Sequence, residues 1–119
     1  MRLILAALTS ALLVGGVFPA HAAPEPYALT LTLKDHRFIP DSVEVPAGVL
    51  IRIELVNQDA ATEEFDSEDL RVEKDVTPNG KISFVVGPLS PGTYSFTGEL
   101  HADTASGTIK AVARAAPTP

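Results

Sequence analysis

Two histidines and a run of carboxylates are the side chains of this sequence equipped to hold a metal ion. His36 and His101 each stand where an alternating apolar pattern gives way to polar residues. Neutral imidazole is the commonest protein metal ligand and suits iron, copper, zinc and nickel. Between them, the segment Glu63–Glu73 carries six carboxylates in eleven positions. On a strand, Glu63 shares a face with Phe65, and Glu64 with Asp66. Glu64 and Glu73 each lie beside an apolar residue that docks on a core, which holds the carboxylate at the rim. A partly buried acid needs a partner, either a cation such as Arg71 or Lys74 or a metal. Asp66, Glu68 and Asp69 read as solvated. By spacing alone the two histidines are not brought together, and a lone histidine in a small domain is more often a surface residue than a ligand.

Sulfur contributes nothing. The chain has no cysteine, and its single methionine is Met1. Thiolate nucleophiles and thiolate or thioether ligands are therefore excluded. A Ser-His-Asp triad is the remaining nucleophilic option, but no nucleophile elbow is present. Glycine loops that cradle phosphate are absent as well. The sequence does not read as an enzyme.

Met1–Ala22 reads as a signal peptide. Arg2 is a minimal basic start, Leu3–Val17 an apolar stretch, and Ala20-His21-Ala22 a small-x-small cleavage site. The apolar stretch is too short for a stable membrane span, so the expectation is a periplasmic or secreted protein. Removing Arg2 from the 9 basic residues leaves 8 against 15 acidic, a net charge of −7 with histidines neutral. That balance argues against nucleic acid, which calls for a basic footprint.

The elements that would position these side chains are strands. Tyr27–Lys34 alternates with Leu29, Leu31 and Leu33 on one face, and Val49–Asn57 with Ile51, Ile53 and Leu55 inward. Val43–Val45, Glu63–Ser67, Lys81–Gly87, Thr93–Gly98 and Gly107–Val112 bring the expected count to about seven. Glu68–Asp75 is expected to hold a helical turn, and Pro40 holds Ile39 extended at a sheet edge. Short strands with turns every eight to twelve residues predict an all-β sandwich over residues 23–113, with 114–119 a disordered Pro-rich tail.

The order of motifs strengthens this. F-x-P with V-x-V-P-A-G occupies Phe38–Gly48, L-V-N-Q-D occupies Leu55–Asp59, and E-E-F-D-S-E-D-L-R-V-E-K occupies Glu63–Lys74. They are followed by G-P-L-S-P-G-T-Y-S-F at Gly87–Phe96 and G-E-L-H-A-D-T-A-S-G-T-I at Gly98–Ile109. Together these resemble the cupredoxin-like domain of the Efe-type periplasmic iron-uptake protein, within the wider cupredoxin superfamily. The resemblance implies a Greek-key β-sandwich with a metal site at one end. Its ligands would come from the loop after the first strand, the Asn-Asp loop and the last hairpin.

Carried over by position, the superfamily's ligand cysteine falls on Gly98 and its axial methionine near Ala105, while the histidine three residues after the cysteine is His101. The carboxylate that precedes an aromatic falls on Glu64, and a further cysteine on Phe38. His36 lies two positions earlier, on the same face if the strand continues. The resemblance, which carries His101 and Glu64, and the reading of His36 and of the rim carboxylate Glu73 together lead to an expected sulfur-free site of His36, Glu64, Glu73 and His101, with Glu63 in reserve. Such a set suits Cu(II), iron, Zn(II) or Mn(II) and cannot form a type 1 blue-copper centre. The implied role is capture or delivery of iron or copper, with a membrane iron permease as partner. The alternative is a metal-free module that docks a basic partner through its acidic loop.

Overall fold

The computed structural model describes residues 10–17 and 24–113. The expected cleavage after Ala22 and the expected tail at 114–119 lie outside the described residues. Among the described residues, no helix is long and apolar enough to cross a membrane.

Among the described residues nine strands form two facing sheets: β1 (Tyr27–Lys34), β2 (Arg37–Ile39), β3 (Ser42–Pro46), β4 (Ile51–Asn57), β5 (Glu63–Ser67), β6 (Val72–Val76), β7 (Lys81–Val86), β8 (Gly92–Gly98) and β9 (Ser106–Val112). One sheet runs β2-β1-β4-β7 and the other β3-β9-β8-β5-β6. The chain repeatedly crosses from one sheet to the other, so β1 pairs with β4, and β3 with β9, in parallel; the other pairings are antiparallel. This is the β-sandwich expected from the sequence, with two strands more than the expected seven.

The first additional strand is β2. Asp35 and His36 both take positive φ, 52° and 56°. That is the backbone of a two-residue hairpin turn, in which positive φ is needed at both positions. Lys34 and Arg37 pair across it. His36 therefore does not sit on a continuing strand beside Phe38, as expected; it is the tip of a turn, and Phe38 points into the core.

The second is β6, which replaces the helical turn expected within Glu68–Asp75. Arg71 takes a positive φ of 56° and its N–H donates to the Glu68 carbonyl at 3.2 Å, closing a tight turn. The Ser67 hydroxyl donates to the Ser95 carbonyl at 2.7 Å and accepts the Leu70 N–H at 3.0 Å, fastening that turn to β8. Strand propensity disfavours the acidic residues of β6. On an exposed edge strand, however, Glu73, Lys74 and Asp75 remain in water while Val76 is buried, and charged edges are a common defence against further pairing.

Strand alternation supplies the core. Leu31, Leu33, Ile51, Ile53, Leu55, Phe65, Phe96 and Ile109 are each no more than 1% exposed. At its centre Phe65 stacks on Phe96 at 5.1 Å between ring centroids, meets Phe84 at 5.1 Å and meets Phe38 edge-on at 6.0 Å. These contacts pack β5 against the facing sheet. Truncation of a large buried aromatic costs about 3–5 kcal/mol. Phe65→Ala should accordingly lower the unfolding free energy in denaturant titrations by about that amount, with the sandwich retained in the far-ultraviolet spectrum.

Candidate metal centre

At one end of the sandwich the β1–β2 turn, the loop after β4, the start of β5 and the short 3-10 turn Glu99–His101 converge. Each is held there by named contacts. Asn57, 1% exposed, closes β4. Its side-chain amide donates to the carbonyls of Ala61 at 2.8 Å and Thr77 at 3.1 Å, and its Oδ1 accepts the Asp59 N–H at 2.9 Å. Asp59 then reaches over to the hairpin turn. Its Oδ1 accepts the Asp35 N–H at 2.8 Å and its Oδ2 the His36 N–H at 2.9 Å. Burial pushes the Asp59 carboxyl up, but the His36 and Asp35 amides, helped by the nearby rings of His36 and His101, hold it below its ordinary value.

His101 arrives from the other side. The Gly98 N–H donates to the Ala105 carbonyl at 2.9 Å, and the His101 carbonyl accepts the N–H groups of Ala105 at 2.8 Å and Thr104 at 3.1 Å. These bonds close residues 98–105 into a compact loop. The His101 ring lies against the ring of His36, centroids 3.6 Å apart and planes 18° from parallel. His101 Nδ1 also meets Oε2 of Glu63 at 2.5 Å. Glu63 is 1% exposed, and its Oε1 accepts the N–H groups of Leu100 at 2.9 Å and Glu64 at 3.1 Å.

The five expected residues therefore separate into two groups. His36, His101 and Glu63, the expected reserve, come together, and Asp59 joins them from the Asn-Asp loop. Glu64 and Glu73 do not. Alternation along β5 turns Glu63, Phe65 and Ser67 inward and Glu64 and Asp66 outward. On that outer face Glu64, Glu73 and Glu99 bring carboxylate oxygens within 4.8 Å of one another. Among the described residues no lysine or arginine pairs with Glu64 or Glu73, so neither Arg71 nor Lys74 acts as the expected partner. A hydrogen bond with Glu73, local loss of water, and the charges of Glu99, Glu73 and Asp75 push the Glu64 carboxyl up to about 7. Asp59 was missed as a site residue, although the motif L-V-N-Q-D had marked its loop.

The cupredoxin-like domain family matches residues 3–111. The chain belongs to that family. An uncharacterized protein of Rickettsia prowazekii (strain Madrid E) is 47% identical over 79 residues, 66% of this chain and 63% of that protein. The chain thus spans less than two thirds of that relative's length. Among solved structures the sandwich is similar to auracyanin B, with a TM-score of 0.65 at 15% identity, over 76% of this chain and 93% of that one. Auracyanin A, a "blue" copper protein from Chloroflexus aurantiacus, gives 0.64 at 13% identity, over 74% and 100%. The metal binding domain of the Cu(I)-exporting P-type ATPase CopA of Streptococcus pneumoniae D39 gives 0.64 at 11% identity, over 71% and 84%. At these identities the likeness is one of fold.

A blue-copper centre does not fit this chain. It has no cysteine, and the position the resemblance assigns to the ligand cysteine has no room for a side chain. A Cβ on Gly98 would come within 2.7 Å of Glu63 Cδ and 2.8 Å of Ala105 Cβ.

The outer carboxylates generate a pH prediction. Glu64's raised folded-state value means that the folded protein holds a proton the unfolded chain releases near its ordinary 4.5. This contribution is present in full below that pH and is lost as pH rises to about 7. Glu64→Gln should flatten the low-salt melting temperature over this window relative to the native chain. The change should be small, because the group is exposed and screened.

Proposed function

We propose that this chain is an exported transition-metal-binding protein whose centre is His36 and His101, and that it captures or delivers iron or copper. The observation that carries the reading is the meeting of the two imidazoles at 3.6 Å. That distance separates the centroids of nearly parallel rings, whose in-plane lone pairs run side by side; a common ion, with two nitrogens roughly 3–3.5 Å apart at about 2.0–2.1 Å from it, requires one ring to turn out of the stack. His36 is exposed at the tip of a turn, so its ring can rotate toward that ion. With no sulfur available, nitrogen and oxygen donors suit Cu(II), iron and Zn(II). The signal-peptide pattern of residues 1–22 supports export to the periplasm or beyond. The resemblance to Efe-type proteins supports iron uptake, with a membrane iron permease as the client, and the binding role needs no catalytic residue.

A second reading has one observation in its favour. Glu64, Glu73 and Glu99 form an acidic face without a basic partner among the described residues, which suits a metal-free module docking a basic protein.

Calorimetric titration of the protein from Ala23 onward with Cu(II), Zn(II) and Fe(III) separates the two. The metal-binding reading predicts one site per chain tighter than about millimolar, weakened at least tenfold in His36→Ala and His101→Ala. Binding that these substitutions leave unchanged, or weaken less than Glu64→Ala and Glu73→Ala do, would place the ion on the acidic face and defeat the assignment.

A further inference from the structure

We infer that Glu63 is the positioning residue of the centre: its buried carboxylate fixes the tautomer of His101, so that Nε2 carries the lone pair offered to a metal. The inference rests on the metal-binding reading and deepens it by assigning the ligand atom and the class of ion.

The carboxylate is anchored before it meets the ring. Oε1 takes two backbone N–H groups, from Leu100 at 2.9 Å and Glu64 at 3.1 Å. That fixes the plane of the group and directs Oε2 at His101 Nδ1. A carboxylate only accepts, so the ring nitrogen facing it is the one that bears the proton. In neutral imidazole the other nitrogen, Nε2, is then the donor to a metal. The 2.5 Å contact leaves no room for an ion between Oε2 and Nδ1, since two donors at about 2.0–2.1 Å from a metal stand about 3 Å apart. Glu63 thus acts behind the ligand, not as one.

Glu63 also explains which ligand chemistry is absent. Its Cδ and Oε1 would lie 2.7 Å and 3.0 Å from a Cβ at Gly98, so a carboxylate from β5 and any side chain at position 98 exclude one another. The two positions form a matched exchange, in which an anionic oxygen group stands behind the histidine and the neighbouring strand end is left bare. The ions this favours are borderline or hard divalent and trivalent ions. Cu(I), which prefers thiolate and thioether, is disfavoured.

Glu63→Gln tests the assignment with little change of shape. The amide oxygen can keep both backbone N–H groups, but the NH₂ now faces Nδ1. The proton must then move to Nε2, which removes the lone pair the metal needs. Nitrogen-15 NMR of the metal-free native protein should show His101 as the Nδ1–H tautomer, and Glu63→Gln should convert it to Nε2–H. Zn(II) affinity should fall about 10–100-fold, the usual effect of losing a partner behind a ligating histidine. An Nε2–H tautomer in the native protein overturns the inference whether or not the variant folds. So does Zn(II) binding within twofold of native in a folded Glu63→Gln. A native protein that shows the Nδ1–H tautomer but binds no metal would leave the positioning of His101 standing and bring down the metal-binding function instead.

Discussion

A carboxylate with 1% of its surface exposed must find donors for its oxygens inside the protein, and at Glu63 that requirement shapes the whole end of the sandwich. Its donors are the Leu100 and Glu64 amides and the His101 ring. Two of the three belong to the 3-10 turn that follows β8. Burying Glu63 therefore obliges the chain to fold residues 99–101 back over β5, and His101 comes with them. It obliges Gly98 to remain glycine for the same reason, because the carboxylate stands where its side chain would be.

His36 is delivered by a separate and equally connected set of bonds. Asn57 closes the end of β4 and presents Asp59, and Asp59 receives both amides of the β1–β2 turn. Bonds from a carboxylate to backbone N–H groups are charge-assisted and stronger than neutral ones. They hold a backbone in which Asp35 and His36 both carry positive φ, a conformation that non-glycine residues adopt at a cost. The two histidines thus meet because two acids, one on each side, organise the loops that bear them. The "blue" copper protein auracyanin A has a similar frame. Here the same frame carries imidazole backed by carboxylate.

Much of the fold was legible in the sequence. Leu29, Leu31 and Leu33, and then Ile51, Ile53 and Leu55, mark two strands by period alone, and the turn residues separate the others. Strand β6 was hidden because Glu73, Lys74 and Asp75 have the composition of a loop, and only its edge position makes them tolerable in a strand. The candidate centre was half legible. Both histidines and the Glu63–Phe65 parity were readable, and the inward face of Phe65 already carried Glu63 inward with it. Yet the resemblance points to Glu64, which also lies beside the core residue Phe65, and a fully buried carboxylate such as Glu63 is uncommon. What the sequence did not contain was the donor set for Glu63, which exists only once residues 98–105 close over β5. The hairpin turn that lifts His36 out of strand geometry was concealed likewise, since Asp-His is not among the common sequences for such a turn.

X-ray absorption at the zinc edge of the Zn(II)-loaded protein decides between the two faces of β5, because the first shell identifies which of them holds the ion. The expected result is a shell of nitrogen and oxygen at about 2.0–2.1 Å with no sulfur, and outer-shell scattering from two imidazole rings. A shell of oxygen alone, without imidazole scattering, would contradict it and assign the ion to Glu64, Glu73 and Glu99 on the opposite face.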